Sequence, residues 1–82
     1  MAISAADAAK IASNYYRNIS GNYDDLSIEE IEKNEEGTAW LITLGIPERG
    51  YAINRPSAKD YKVFEIDSDT KDVLSMKIRV IK

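Results

Sequence analysis

The fold is decided first by the stretch Ile3-Ser4-Ala5-Ala6-Asp7-Ala8-Ala9-Lys10-Ile11-Ala12, near the start of the chain. Ser4 and Asp7 have the spacing of a capping box, which marks the first turn of a helix. The alanines favour helix, and apolar residues recur every three or four positions along one face. That predicted core face consists of Ala8, Ile11, Ala12, Tyr15 and Ile19.

The end of this helix is predicted at Ser20-Gly21-Asn22, where Gly21 can take the left-handed conformation of a helix cap. Because Tyr15 falls on the core face, it is predicted to pack inside the domain. Tyr16 and Tyr23 fall elsewhere and are predicted to be more open to solvent.

From about Leu26 the apolar period changes to two, which is typical of β-strands. The first strand shifts its apolar parity at Ile31, which indicates a β-bulge or an edge position. Three more strands are predicted over Thr38–Ile46, Asp60–Asp67 and Val73–Ile81. The residues predicted to face the core are Trp40, Ile42, Leu44 and Ile46 in the second strand and Leu74, Met76, Ile78 and Val80 in the last. The third strand has Phe64 and Ile66 on one face and Tyr61 and Val63 on the other.

Short polar turns, Asn34-Glu35-Glu36-Gly37 and Asp67 to Asp72, separate two pairs of these strands, so consecutive strands are expected to pair antiparallel. The predicted architecture is therefore one α+β domain over residues 1–82, in the order α-β-β-β-β. Its N-terminal helix packs on a four-stranded, mainly antiparallel sheet, which gives two layers.

Composition excludes several function classes. The chain of 82 residues contains no cysteine and no histidine, which removes disulfides, thiolate nucleophiles, Ser–His–Asp triads and zinc-finger sites. The formal net charge is −3 and the basic residues are dispersed, so a nucleic-acid partner is not expected. No apolar run approaches the roughly 20 residues of a transmembrane helix.

The sequence resembles PepSY domains at both ends. The opening Ile3–Ala12 stretch is similar to the I-S-x-x-x-A-x-x-I-A pattern that begins those modules. The run Tyr61–Asp67, followed by Thr70 and Val73-Leu74, resembles the family's Y-x-V-x-x-D-x-x-T-G-x-V-L ending, with one extra residue before the aspartate. The chain departs from the family at Lys71, which replaces a turn glycine, and in the longer Pro47–Ala58 connection.

What the resemblance implies is a non-enzymatic module that binds or restrains a protein partner, with a peptidase as the family's partner class and no catalytic residues to transfer. It also implies an extracytoplasmic or cell-envelope location if a leader precedes this sequence, and a cytoplasmic one otherwise. No cofactor is expected. A homodimer formed through an exposed sheet edge is compatible with a domain of this kind.

The predicted partner-binding site is the Pro47–Ala58 segment, because long loops on small rigid scaffolds commonly carry binding residues. It contains Arg49, Tyr51, Ile53 and Arg55, residue types that include those favoured at interface hot spots. A variable surface connection, or an irregular extension of the second and third strands, explains the same segment without function. An exposed sheet edge is the other predicted binding surface.

Three aspartates near the end of the third predicted strand suggest a calcium site. Asp67, Asp69 and Asp72 resemble the start of a calcium loop, but Lys71 stands at a ligand position, so a turn built on aspartate is the preferred interpretation and no metal is expected.

The alternative function is a small-ligand carrier that uses the sheet face under the helix, which needs a pocket of roughly 300 Å³ or more.

Overall fold

The computed structural model of the protein describes residues 2–21, 26–47 and 59–79. Helix α1 is followed by four strands that pair antiparallel in the sheet order β1-β2-β3-β4. The elements are α1 (Ala5–Ser20), β1 (Ser27–Lys33), β2 (Ala39–Pro47), β3 (Lys59–Asp67) and β4 (Val73–Arg79). The predicted α+β architecture, one N-terminal helix with a four-stranded antiparallel sheet, is confirmed.

The helix begins at the predicted cap. The Ser4 hydroxyl accepts a hydrogen bond from the backbone N–H of Asp7 at 3.1 Å. Ile3, just before the cap, donates its N–H to the Ser68 carbonyl at 2.8 Å, and its own carbonyl accepts a bond from Trp40 Nε1 at 3.1 Å. These two bonds tie the start of α1 to the beginning of β2 and to the β3–β4 turn.

The helix ends at Gly21, whose backbone has φ +96° and ψ −179°. This positive φ is accessible to glycine and strained for other residues, although it is more extended than the left-handed conformation that the sequence predicts. The Gly21 N–H donates to the Arg17 carbonyl at 3.0 Å, which satisfies one of the last carbonyls of the helix.

The core lies between α1 and the two central strands. Ala8, Ala12 and Tyr16 are the helix residues buried in it, four positions apart. The small alanines let the helix approach the sheet closely, and Tyr16 packs edge-on against Phe64 with 6.3 Å between ring centroids. The buried sheet residues of this cluster are Ile42, Leu44, Ile46, Phe64 and Ile66.

The two helix tyrosines are placed the other way round from the prediction. Tyr16 is buried, whereas Tyr15 is 38% exposed and makes an edge-on contact with Phe64, at 6.2 Å between ring centroids. Ile19, also predicted to be core, is half exposed. The buried line shares Ala8 and Ala12 with the predicted face but continues to Tyr16, so the buried face is rotated by part of a turn from the predicted one. Tyr23 lies outside the described residues.

Both predicted turns are built on side chains that accept backbone hydrogen bonds. The Asn34 amide oxygen accepts from the N–H groups of Thr38 and Ala39 at 2.9 and 3.1 Å. The Asp67 carboxylate accepts from the N–H groups of Asp69 and Thr70, each at 2.8 Å. Asp67 therefore acts as a turn former, which confirms the preferred interpretation of this aspartate cluster.

The first strand carries the irregularity that its sequence predicts. The β1–β2 register shifts between Ile28 and Glu30, so Glu29 is the extra residue of a β-bulge. β1 is also an edge strand, which confirms both readings of the parity shift at Ile31. The bulge returns Ile28 and Ile31 to the helix side of the sheet, opposite Leu44 and Ile42.

The last strand is where the predicted core is wrong. Leu74, Met76 and Ile78 were expected inside, but they are 53%, 39% and 77% exposed, and Val80 lies outside the described residues. Val73 is the residue of this strand that packs against the core. The sequence places Met76 and Ile78 correctly on the helix side, where they pair with Phe64 and Lys62, but α1 does not cover them. At the start of the strand the predicted alternation is wrong, because the register shift between Glu65 and Ile66 makes Leu74 the extra residue of a bulge and pairs Val73 with Ile66.

Candidate functional site

The two edges of the sheet carry exposed apolar side chains for a simple geometric reason. A helix with its side chains is about 10 Å across, whereas neighbouring strands lie about 4.8 Å apart. One helix therefore covers about two strands, and α1 lies over β2 and β3. The helix-side residues of β1 and β4 are left at the flanks of the helix, where water or a partner reaches them.

The flank at β4 is the more apolar and more exposed of the two. Met76 and Ile78 pair with Phe64 and Lys62, so both side chains lie on the helix side of the edge strand. Tyr15 of α1, 38% exposed, contacts Phe64, which is the strand neighbour of Met76. We call Tyr15, Met76 and Ile78 the β4 apolar surface.

The other side of β4 is cationic. Lys77 and Arg79 pair with Val63 and Tyr61, on the sheet face that is turned away from the helix. Lys77 is exposed, and β4 contains no acidic residue. An edge strand presents backbone N–H and C=O groups that its sheet does not use, so β4 can accept another strand. That strand would meet apolar side chains on one side and positive charge on the other.

Arg79 crosses the face that is turned away from the helix. Its guanidinium donates to the hydroxyl of Thr43 at 3.1 Å and forms a salt bridge with Glu30 of β1. Thr43 is only 1% exposed, although it lies on the side of β2 without a helix. The Arg79 side chain thus joins the two edge strands across the centre of the sheet.

The β1 edge is arranged differently, because its bulge brings a second carboxylate onto this face. Ser27 Oγ donates to Glu29 Oε2 at 2.5 Å, and both groups lie over Gly45. A Cβ at Gly45 would meet the Glu29 carboxylate and would stand 2.7 Å from Ser27 Oγ. The absence of a side chain at Gly45 therefore makes room for the acidic edge.

The residues predicted to bind a partner, Arg49, Tyr51, Ile53 and Arg55, lie outside the described residues. The two positions that flank their segment are described: Pro47 at the end of β2 pairs with Lys59 at the start of β3. Both strands therefore continue to the last described position on each side. The assignment of this segment as a binding loop stays a prediction.

The described residues give no metal-binding arrangement, since no group of three or more Asp and Glu side chains in them is placed to hold an ion. Among these residues the pKa of Asp67 is lowered, first by the backbone hydrogen bond from Thr70 and then by that from Asp69. The described helix is too short and too polar to cross a membrane.

Two shallow grooves flank α1 in the described part of the chain. One, of about 230 Å³, lies on the β1 side, beside Lys10, Asn14, Arg17 and Ile28. The other, of about 270 Å³, lies at the start of the helix, beside Ile3, Ile11 and Lys71. Under the helix, the buried side chains of the described residues pack against one another.

Sequence reasoning missed the β4 apolar surface because it assigned all inward-facing apolar residues to the core. The signal that would have found it was present: four strands and one helix cannot form two complete layers. It also missed the bond network of Arg79, since Glu30 and Arg79 are far apart in the chain and only the pairing of four strands sets them on one face.

Comparisons with known proteins were made at three levels: family models, curated proteins and solved structures. No family model, no curated protein and no solved structure matches the chain. The PepSY resemblance therefore stays a prediction that the residues of α1 and of the β3–β4 hairpin carry.

Proposed function

We propose that this domain is a non-catalytic protein-binding module that holds an extended segment of its partner as an added strand along β4. The observation that carries the proposal is the concentration of exposed apolar side chains on the helix side of an edge strand. Strand addition uses backbone hydrogen bonds for affinity and alternate side chains for specificity.

The chemistry of β4 indicates which segment would fit. Every second side chain of an added strand would lie beside Met76, Ile78 and Tyr15, and should be apolar to bury their exposed surface. The intervening side chains would lie beside Lys77 and should be acidic, because opposite charges on neighbouring strands stabilise pairing. The proposed ligand is therefore a strand that alternates apolar and acidic residues.

The narrower form of this proposal, which the PepSY resemblance implies, has a peptidase as the partner. A domain that occupies a peptidase without being cleaved would slow the hydrolysis of a reporter peptide. The alternative function of a small-ligand carrier has less support, because both described grooves are open and fall below the roughly 300 Å³ of common ligand pockets.

The test begins with a random peptide library displayed against the immobilised domain. We expect the selected peptides to alternate apolar residues with Asp or Glu. When a selected peptide is titrated, the backbone amide signals of β4 should shift more in NMR spectra than those of β1. A library that yields no enriched sequence, or shifts that centre on β1, would contradict the proposal.

A matched pair of variants localises the binding. Met76→Asp and Ile31→Asp each place one carboxylate on the helix side of an edge strand, at positions that are 39% and 43% exposed. We expect Met76→Asp to weaken peptide binding by about tenfold or more, since the new charge would be buried. Ile31→Asp should change it by less than about twofold, as an ordinary surface substitution does. Equal effects would place the site elsewhere.

A further inference from the structure

The two edge strands of this sheet have opposite charge. β1 contains Glu29, Glu30 and Glu32 and a single lysine at its end, whereas β4 contains Lys77 and Arg79 and no acidic residue. In β1, Glu30 and Glu32 pair with Thr43 and Leu41, on the face turned away from the helix. The charges of the two edges therefore lie on the same face of the sheet. Glu30 and Arg79 bond to each other within one molecule, so Glu32 and Lys77 are the exposed charges that can pair with a second copy.

The apolar residues of the two edges also match. Ile28 and Ile31 on β1 are 42% and 43% exposed, and Met76 and Ile78 on β4 are 39% and 77% exposed. All four lie on the helix side, by their pairing with Leu44, Ile42, Phe64 and Lys62. After the bulge, the run Glu30-Ile31-Glu32 of β1 has the alternation of acidic and apolar residues that is proposed for the ligand of β4, and Lys33 ends it.

Strand directions permit the two edges of separate molecules to join. In a four-stranded antiparallel sheet the first and last strands run in opposite directions. A second copy placed with its helix on the same side therefore brings its β1 antiparallel to β4, and the pattern of the sheet continues unbroken. The charges disfavour the two symmetric contacts, since β4 against β4 opposes cations and β1 against β1 opposes carboxylates.

We propose that a second copy of this chain is a partner of the β4 edge, and that it binds head to tail through its β1. This inference rests on the proposed function, because it names the partner of the same edge. Pairing would use the regular part of β1 after the bulge, with Ile31 opposite Ile78 and Glu32 opposite Lys77. A contact of one short strand is small, and small interfaces are typically transient.

A head-to-tail contact has a consequence that a symmetric one lacks. Each added copy leaves a new β4 at one end and a new β1 at the other, so the assembly is open-ended unless rotation closes it into a ring. We therefore expect the average mass in sedimentation equilibrium to keep rising over about a hundred-fold range of concentration. A symmetric dimer would level off at twice the monomer mass.

The charge pair Glu32 and Lys77 provides the decisive test, since both side chains are exposed. Lys77→Glu alone opposes two glutamates at every contact, and Glu32→Lys alone opposes two lysines. Each variant should weaken self-association about tenfold, because an attractive pair becomes a repulsive one. In a mixture of the two variants, every contact between unlike copies places opposite charges at positions 32 and 77. Association should therefore recover to about the wild-type level.

Several outcomes would overturn the inference: a wild-type chain that stays monomeric at every concentration, a Glu32→Lys variant that associates like wild type, or a mixture that does not recover. The library experiment separates this failure from failure of the proposed function. A monomeric chain that still binds alternating peptides along β4 refutes the second copy as partner and leaves strand addition intact. A chain that does neither refutes both.

Discussion

The edges of this sheet, β1 and β4, both expose apolar side chains beside the helix but differ in how they are protected from pairing with other strands. β1 carries three glutamates, and one of them, Glu29, forms the bulge and holds its carboxylate over Gly45. Bulges and charges are devices that keep edge strands from pairing indiscriminately. β4 carries its irregularity at the start, next to Ile66, and then runs regularly through Ser75, Met76, Lys77 and Ile78.

This difference teaches that the two edges are suited to different roles. The regular backbone and exposed apolar residues of β4 suit it to receive a strand of either origin, from another protein or from a second copy. The acidic, bulged β1 is selective, because its charges favour a cationic neighbour and oppose its own kind. The salt bridge between Arg79 and Glu30 connects β4 with β1 across the sheet face that is turned away from the helix.

The largest expected effect breaks the comparison by removing what supports both edges. Phe64→Ala deletes a fully buried ring that contacts both Tyr15 and Tyr16 and pairs with Ile42 and Met76. We expect the free energy of unfolding to fall by about 3–5 kcal/mol, a large part of the stability of a small domain. Urea denaturation followed by circular dichroism measures it.

The control for this variant is Val63→Ala, one position away on the uncovered face, where the side chain is half-buried. It should cost roughly 1 kcal/mol, because less apolar surface is lost there. A Phe64→Ala variant no less stable than Val63→Ala would show that the helix does not pack where the structure places it.

The second effect separates the two edges. Arg79→Met keeps an apolar stem but removes the salt bridge with Glu30 and the hydrogen bond to buried Thr43. We expect a loss of about 1–2 kcal/mol in the free energy of unfolding, mostly from the hydroxyl left without its partner. Denaturation at low and high salt should give a smaller loss at high salt, where the ion pair of the wild type is screened.

Lys77→Met is the matched control for the Arg79 variant. It removes the other cation from the same face of the same strand, but Lys77 is exposed. Its effect should stay within about 0.5 kcal/mol. If the two variants were equally stable, the contacts of Arg79 with Glu30 and Thr43 would contribute nothing to the free energy of unfolding. The edge strands would then be stabilised through their pairing with β2 and β3 alone.

The third effect concerns the turn that leads into β4. Lys71 has φ 70°, a left-handed conformation that favours glycine. Lys71→Gly should relieve this strain and raise the free energy of unfolding, by at most about 1 kcal/mol, since glycine also loses more chain entropy on folding. Thermal and urea denaturation measure the gain. A control change, Asp69→Gly in the same turn, lacks this benefit, and a gain of equal size there would contradict the argument.

The smallest effect appears only in acid. Because hydrogen bonds from Thr70 and Asp69 lower the pKa of Asp67 below its ordinary value of 3.8, the carboxylate stabilises the fold above that value. This contribution is lost as the pH falls through the lower pKa of the folded state. Asp67→Asn accepts the same bonds without titrating, so its Tm should fall less than that of the wild type between about pH 6 and about pH 2.

If the Tm of both proteins fell by the same amount over that pH range, the hydrogen bonds of the turn would not stabilise the Asp67 carboxylate. The informative quantity is the difference in Tm between the two proteins at each pH, because every other carboxyl group is common to both. Because the Asp67 carboxylate accepts two hydrogen bonds of 2.8 Å, we expect the difference in Tm between wild type and Asp67→Asn to narrow steadily as the pH falls.

The local elements follow directly from the sequence. Ser4 and Asp7 predicted the start of α1, the parity shift at Ile31 predicted the bulge, and Asn34 and Asp67 predicted the two turns. These features depend on residues a few positions apart, whose backbone preferences and side-chain bonds are settled within one turn or one strand. The pairing of β1 with β2 and of β3 with β4 followed as well, because short turns leave neighbours in sequence next to one another in the sheet. β2 and β3 also pair, although the long Pro47–Ala58 segment joins them.

The proposed binding surface was only partly predictable from the sequence. An exposed sheet edge was predicted as a binding surface, and β4 is such an edge, but its apolar residues were assigned to the core. The exposure of Met76 and Ile78 depends on how many strands α1 covers, which no local pattern states. The predicted loop residues, from Arg49 to Arg55, lie outside the described residues and stay a prediction.

By itself, then, the sequence determined which residues form helix and strand and which side of β2 and of the later part of β4 is apolar. Tertiary structure alone decided which apolar residues are buried: Tyr16 and not Tyr15, Phe64 and not Ile78. The physical reason is that periodicity sets the direction of a side chain, whereas burial requires a second layer above it. One helix about 10 Å wide supplies that layer to two strands of the four and leaves the outer two open to a partner.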